Sequence, residues 1–293
     1  MLRLSTPSSA KGMTIVELLV ASSIASVLLA VAATTFLTQR ELVGHDLKRT
    51  AVNQNLRSAI DILGMNIRLA GENLSGTFPA IELTDGSSGA PDELILRRNL
   101  LDEVLKICTP ITNATTDPLY FAIGGTTPGC IHSDQAQSFS SWTTYLSSQG
   151  GTALAYAYDP ASQLGEFFWF SAITDTGSDM FVQPDDSWTQ SYGVGQAAAY
   201  IIEQWHFRLD GENIQLIVDG NIANPQNVIF GVSDFQATIT KSDGSTMTSF
   251  GVSDDWTEIQ SINITLTAND TSSLQAIDRT LNASFFPRNV LSN

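Results

Sequence analysis

The amino-acid sequence predicts an α+β protein, with one long N-terminal helix followed by a strand-rich remainder. Three observations carry that reading. From Met13 to Leu37 every residue is apolar or small except for Thr, Ser and Glu17. Beyond Gln39-Arg40-Glu41 the composition turns polar, yet apolar residues recur at helical spacing as far as Ala70. After that, alternating runs rich in β-branched and aromatic residues dominate the rest of the 293-residue chain.

The first stretch is long enough to cross a hydrocarbon core, which takes roughly 20 helical residues. Within it Glu17 is costly: insertion scales put a charged side chain at about 2.5–3.5 kcal/mol at the centre of such a span. Two readings fit. Glu17 lies only about one turn in, so it can reach the headgroup region by snorkelling. Alternatively it has a partner and a purpose, as ionisable groups in such spans usually do. The second stretch presents Leu42, Leu47, Val52, Leu56, Ile60, Leu63, Ile67 and Ala70 in steps of three to five, with no proline between Pro7 and Pro79. One helix from about 14 to about 70 is therefore expected, oily all round in its first half and amphipathic in its second. Gly44 and Gly64 each cost roughly 1 kcal/mol against Ala and are candidate bend points. Gly71 is the expected stop.

Downstream, the expected strands are ELILRR (93–98), with LDEVLKICTP after it, FFWFSAI (167–173), YIIEQWHFRL (200–209) and ENIQLIVDG (212–220). NVIFGVSDFQATIT (227–240), TEIQSINITLTA (257–268) and LNASFF (281–286) follow. Asp210-Gly211 between two alternating runs is a strong short-range hairpin signal. Little convincing helix is expected after the first one. The tetrapeptide GVSD occurs twice, which two short copies leave as coincidence.

The N-terminus is not that of an ordinary secretory signal. Residues 1–12 (MLRLSTPSSAKG) are polar and basic through Arg3 and Lys11, with no apolar core of their own and no small-x-small site after the oily run. Gly12 stands at the boundary, followed by Met13-Thr14-Ile15-Val16-Glu17. This resembles the signal of type IV prepilins and type II secretion pseudopilins: Gly, usually Phe, then Thr or Ser, two apolar residues, Glu, and a long apolar stretch. The chain departs from that pattern at Met13, where Phe is commoner.

The resemblance implies cleavage by a prepilin peptidase between Gly12 and Met13, and N-methylation of Met13. It implies that Glu17, fifth in the mature chain, faces the N-terminal amine of a neighbouring subunit during assembly. Pairing compensates a carboxylate that would be expensive alone in low dielectric, and it sets register. Four segments follow: a leader (1–12), a transmembrane and filament-core helix (13–37), an amphipathic continuation (38–71), and a β-rich head (72–293). In the family, antiparallel sheets pack on the latter half of the helix. The implied partners are the peptidase, other minor and major pilins, and the bacterial inner membrane before assembly, with the head in the periplasm.

RSAIDILGMNIRLAGENL (57–74) is similar to the helix end of PilW- and GspJ-type proteins, through Arg57, Ile60, Leu63, Ile67, Arg68, Ala70 and Gly71. FFPRN (285–289) looks like the "RN" ending of PilW-type proteins. A minor pilin that assembles into, primes or sits near the tip of a type IV pilus is thus expected first. A GspJ-like pseudopilin and a filament-tip adhesin are the alternatives.

Charge narrows the partners. Lys and Arg number 14 against 30 Asp and Glu, a net −16, and loss of residues 1–12 would leave 12 against 30. That speaks against nucleic acid, whose binding rests on cations neutralising phosphates, and against a polybasic membrane patch. For an exported head, the two cysteines, Cys108 and Cys130, are expected to form a disulfide rather than a metal site or free thiols.

No catalytic pattern emerges, and no cofactor motif: HExxH, GxSxG, P-loop and GxGxxG arrangements are all lacking in the sequence. Among the histidines, His45 lies on the long helix, His132 in a loop after Cys130, and His206 in a strand where half-burial is expected. SDMFVQPDDSW (178–188) and GVSDDW (251–256) offer hard oxygen ligands for Ca²⁺ without EF-hand spacing; solvated turns are the commoner outcome.

Overall fold

The structure is a computed structural model that describes residues 12–195, 197–270 and 277–292. The expected leader, residues 1–12, therefore lies outside the described residues except for Gly12. The chain divides into two compact units, residues 1–51 and 52–293.

In the first unit the described chain is almost entirely helix α1, which runs Ile15–Leu69. Its apolar side chains there are exposed, Ile15, Leu19, Leu28 and Phe36 by 60–80%. Serine and threonine hydroxyls along this stretch fold back onto the helix: Ser23 donates to the Val20 carbonyl at 2.8 Å and Ser26 to that of Ser22 at 2.8 Å. Such back-bonding satisfies a hydroxyl without calling on water.

In the second unit α1 buries Leu56, Ala59, Leu63 and Ile67, four members of the expected stripe or its direct neighbours. Among the described residues, fifteen strands and one further α-helix follow. They are β1 (Ile81–Thr84), β2 (Glu93–Asn99), β3 (Leu105–Lys106), β4 (Leu119–Ala122), α2 (Ala136–Ser148), β5 (Ala153–Asp159), β6 (Leu164–Asp175) and β7 (Met180–Pro184). Then come β8 (Ala198–Tyr200), β9 (Ile202–Asp210), β10 (Asn213–Val218), β11 (Gln226–Phe230), β12 (Asp234–Lys241), β13 (Thr246–Met247), β14 (Ile259–Asp270) and β15 (Ile277–Phe285). They form three sheets, in the orders β1-β2-β9-β10-β11, β13-β12-β14-β15 and β3-β8-β5-β6-β7-β4. Every pairing between these strands is antiparallel. The expected α+β class with an antiparallel head is what the structure shows.

Two cores result. The larger joins the buried face of α1 to the five-stranded sheet through Ile81, Leu94, Phe207 and Ile214, and to the four-stranded sheet through Phe235, Ile239, Ile262 and Leu266. The smaller lies between the six-stranded sheet and α2, built on Trp142, Leu146, Phe168, Phe170, Val182 and Trp188. Three buried indoles find acceptors: Trp142 Nε1 donates to Glu103 O, Trp188 Nε1 to Asp117 O (both 2.9 Å), and Trp256 Nε1 to Ser75 O (3.2 Å). An indole N–H left without one would be costly at that depth.

The strand expectations need three corrections. The 200–209 run breaks at Ile201, whose carbonyl accepts from Leu100 N–H, so β8 and β9 join different sheets. The 227–240 run also divides. Gly231, at φ +73°, and Val232 both donate to the Glu212 carbonyl, which turns the chain out of the five-stranded sheet and into the four-stranded one. Helix α2 was not expected at all. The Asp210-Gly211 hairpin stands, with Asn213 opposite Asp210 and Gly211 at φ +61°.

The helix continues through Gly64, whose missing side chain makes room for Phe285: a Cβ there would lie 2.2 Å from the ring. Gly71 does end the helix, at φ +80°, and a Cβ on it would meet the Trp256 ring at 2.3 Å. The helix end is then closed from the far end of the chain. Asn289 Nδ2 donates to the carbonyls of Leu69 (3.2 Å) and Ala70 (3.0 Å), and the Arg68 guanidinium lies 5.2 Å from the centre of the Phe285 ring. The similarities noted at 57–74 and 285–289 thus meet in one contact, in which glycines admit rings and an asparagine donates to the last carbonyls of the helix.

Candidate processing and assembly site

The N-terminal motif occupies the start of α1, in the first unit. Thr14 is the helix N-cap: its carbonyl accepts from Leu18 N–H at 3.1 Å. Its hydroxyl accepts from Glu17 N–H at 3.3 Å. The Glu17 carboxylate, in return, accepts from Thr14 N–H at 2.9 Å and from the Thr14 hydroxyl at 3.0 Å, both on Oε2. This is a reciprocal capping box, in which a Thr at N-cap and a Glu at N3 each satisfy a backbone donor of the other. The carboxylate also sits at the positive end of the helix dipole. Glu17 is therefore not left bare in a single subunit, as the cost argument alone suggested; the chain supplies it with two donors.

Thr-x-x-Glu before an apolar run is visible in the sequence, and it gives Thr14 a role that the cost argument overlooked. Only Oε2 is engaged in these contacts; among the described residues no donor reaches Oε1. Gly12 and Met13 precede the helix and are exposed, Met13 by 65%. A Cβ placed on Gly12 would meet no atom within 4 Å. An exposed dipeptide ahead of a capped helix is one that a peptidase can reach.

The remaining singled-out residues lie in the second unit. Cys108 and Cys130 are joined by a disulfide and are almost fully buried, at 5% and 1% exposed. Just beyond it, His132 Nε2 sits 2.7 Å from Asp175 Oδ1, which also accepts from Gly177 N–H at 2.7 Å. The hydrogen bond from His132, followed by that from Gly177, holds the Asp175 carboxyl below its usual range. His206 is in β9, its Nε2 2.8 Å from Glu93 Oε2. His45 is on α1, far along the chain from both.

The Asp-rich stretches do not converge. Residues 180–184 of the first form β7, and Asp185 accepts from the Ser171 hydroxyl at 2.6 Å. In the second, Asp254 Oδ2 accepts from Gly251 N–H and Asp255 Oδ1 from Thr257 N–H and Oγ1. Among the described residues no three His, Cys, Asp or Glu side chains gather as a metal site would need.

Comparison with known proteins agrees with the N-terminal geometry. Residues 7–33 match the model of the prokaryotic N-terminal methylation motif, which encloses Gly12, Met13, Thr14 and Glu17. The chain therefore carries a type IV prepilin-like N-terminus. Among solved structures, the chain is similar to the type IV-like pilin TTHA1219 from Thermus thermophilus. That similarity is at 8% identity with a TM-score of 0.36, over 82% of this chain and 98% of that one. No curated protein matches the sequence.

Proposed function

We propose that this chain is a minor pilin, a filament subunit delivered through the bacterial inner membrane. In this reading residues 1–12 are a leader removed between Gly12 and Met13, and Met13 is then N-methylated. Residues 13–37 anchor the protein in the membrane and later form filament core. Residues 38–71 continue the helix into the head, 72–293, on the periplasmic side. The partners are a prepilin peptidase and other minor and major pilins, and the finer expectation is a position near the tip of a type IV pilus. The observation that carries the proposal is the capping box of Thr14 and Glu17, set immediately after Gly12 and opening an apolar helix.

Assembly then works by donor exchange. Before assembly Thr14 holds one oxygen of Glu17; in the filament the free oxygen takes the charged amine of Met13 from a neighbouring subunit. A charge-assisted hydrogen bond is roughly twice as strong as a neutral one, so the exchange favours the polymer without leaving the carboxylate uncompensated at any stage.

The test is mass spectrometry of sheared filaments together with two variants. A peptide beginning at methylated Met13 is expected. Gly12→Val should stop maturation, and Glu17→Ala should be processed normally but enter filaments poorly. Equal incorporation of Glu17→Ala would end the pairing argument.

A further inference from the structure

The four-stranded sheet ends on β15, and that edge has no strand beside it. β15 pairs with β14 from Ile277 opposite Asp270 to Phe285 opposite Ile262 without a bulge. In an antiparallel ladder, alternate residues turn their N–H and C=O groups away from the partner strand. Among the described residues no backbone hydrogen bond from outside the ladder meets those of β15. The other sheet edges are strapped. Leu83 of β1 exchanges two backbone bonds with Phe250, both 2.8 Å. Just after β3, Cys108 N–H is tied to the Tyr120 carbonyl of β4 at 2.8 Å. Beside the two-residue β13, Asp92 donates its N–H to the Phe235 carbonyl and accepts from Ala237 N–H. On β11 the Phe230 carbonyl accepts from Asn55 Nδ2 at 3.2 Å. β15, which reads IDRTLNASF, has neither bulge nor proline nor lysine, the devices that commonly blunt an edge.

The two faces of the strand differ. Asp278, Thr280, Asn282 and Ser284 are exposed, whereas Arg279, Leu281, Ala283 and Phe285 stand opposite Ala268, Leu266, Ile264 and Ile262. Those four β14 residues are fully buried in the larger core, while Leu281 and Ala283 are only half-buried against it. The core thus runs out at this edge with its last row partly uncovered. Arg279 belongs to the same inward row and is half-buried. Arg97 pairs with Glu82, and Arg98 with Glu72 and Glu203, but among the described residues no acceptor reaches Arg279. Residues 271–276 (TSSLQA), which precede the strand, contain no acidic side chain.

We infer that β15 takes up an extended segment of a partner polypeptide as an added antiparallel strand, with apolar side chains beside Leu281 and Ala283 and a carboxylate beside Arg279. The unmet backbone groups define the class of ligand. They recur at every second residue along one line, and another strand offers donors and acceptors at that repeat, whereas a helix spends its own internally. An inward-facing charge deters edge pairing in general. A carboxylate on the incoming strand compensates it, so Arg279 admits one kind of strand and turns away those without an acid. A second copy of this chain is among those turned away. Antiparallel pairing of two β15 strands about Leu281 sets Arg279 opposite Ala283, which leaves both guanidiniums half-buried without a counter-charge. The register that would bring Asp278 opposite Arg279 keeps only 277–280 in the ladder. This inference does not rest on the minor-pilin reading.

The experiment is fluorescence polarisation on the full chain in detergent micelles, with empty micelles as control. The probe is a fluorescein-labelled heptapeptide amide of alternating valine and threonine that ends in glutamate. It is N-methylated either at its valines or at its threonines, which also stops it from stacking on itself. Only one edge of the peptide can meet β15 with the valines inward, so one methylated form should bind saturably and the other should not. In the form that binds, lysine in place of the glutamate should weaken binding about tenfold, as loss of a charge-assisted bond dictates. Arg279→Glu, with unchanged circular dichroism, should reverse that preference. Binding of both methylated forms or of neither, equal binding of the glutamate and lysine peptides, or an unreversed preference in folded Arg279→Glu would each overturn the assignment. So would a dimer in sedimentation velocity that the binding peptide dissolves, since the edge would then belong to a second copy.

Discussion

Replacing Gly64 with alanine tests the contact between helix and C-terminal segment by the sign of its effect. On an exposed helix the change would stabilise by about 1 kcal/mol, the helix-propensity difference. Here the new Cβ would lie 2.2, 2.6 and 2.8 Å from three carbons of the Phe285 ring. Ordinary carbon contacts begin near 3.5 Å, so the ring must retreat by about 1.3 Å. Phe285 is 7% exposed and has the Arg68 guanidinium over it, so it has little space to yield. Overpacking of this kind costs about 1–3 kcal/mol, and the propensity gain offsets part of it. We predict a net loss of about 1 kcal/mol for Gly64→Ala, and relief of that loss when Phe285→Leu is combined with it. The assay is urea unfolding of the full chain in mild detergent, followed by tryptophan fluorescence. All five tryptophans follow residue 141, so the signal reports the second unit alone. A stabilisation of about 1 kcal/mol by Gly64→Ala, with no coupling to Phe285, would refute the packing described here.

Three further outcomes are expected. Cys108→Ser with Cys130→Ser removes a cross-link spanning 22 residues and should cost about 3 kcal/mol in the chain-entropy picture; unaltered protease resistance of the head would contradict it. Asn289→Ala leaves the Leu69 and Ala70 carbonyls without that donor and should cost about 1–2 kcal/mol in the same denaturation assay; a midpoint unchanged from the parent would be the contrary result. The bond between His132 and Asp175 gives a pH effect whose sign follows from the lowered Asp175 carboxyl. Its contribution is present above the ordinary carboxylate range and is lost as pH falls through the lowered folded value. In a carbon-13 titration, His132→Ala should return Asp175 toward its usual value; an unmoved titration would rule out the histidine as the cause.

How much of this was legible in the sequence depended on whether the signal was local. Helix α1 repeats one pattern over many turns, and the Asp210-Gly211 hairpin is declared by two residues, so both were read correctly. The division of 227–240 turned on Gly231 finding the Glu212 carbonyl, a contact between strands that alternation cannot reveal. Helix α2 hid behind its composition: AQSFSSWTTYLSS is rich in Ser and Thr, weak helix formers. Only Trp142 and Leu146 are fully committed to the core, so its stripe was too thin to notice. At the candidate site the signal was entirely local, since Thr14 and Glu17 stand three residues apart. Gly64 and Gly71 were read as flaws in a helix or its stop. Their further purpose needed Phe285 and Trp256, about two hundred residues later.

That distance has a consequence for biosynthesis. The carbonyls of Leu69 and Ala70 emerge from the ribosome about two hundred and twenty residues before Asn289, whose amide reaches both. Until it arrives, the Ala70 carbonyl lacks this donor, Leu69 keeps only its local bond from Glu72 N–H, and the space at Gly64 lacks the Phe285 ring. A polypeptide truncated before Phe285 would therefore keep helix α1 but leave its C-terminal end without these contacts.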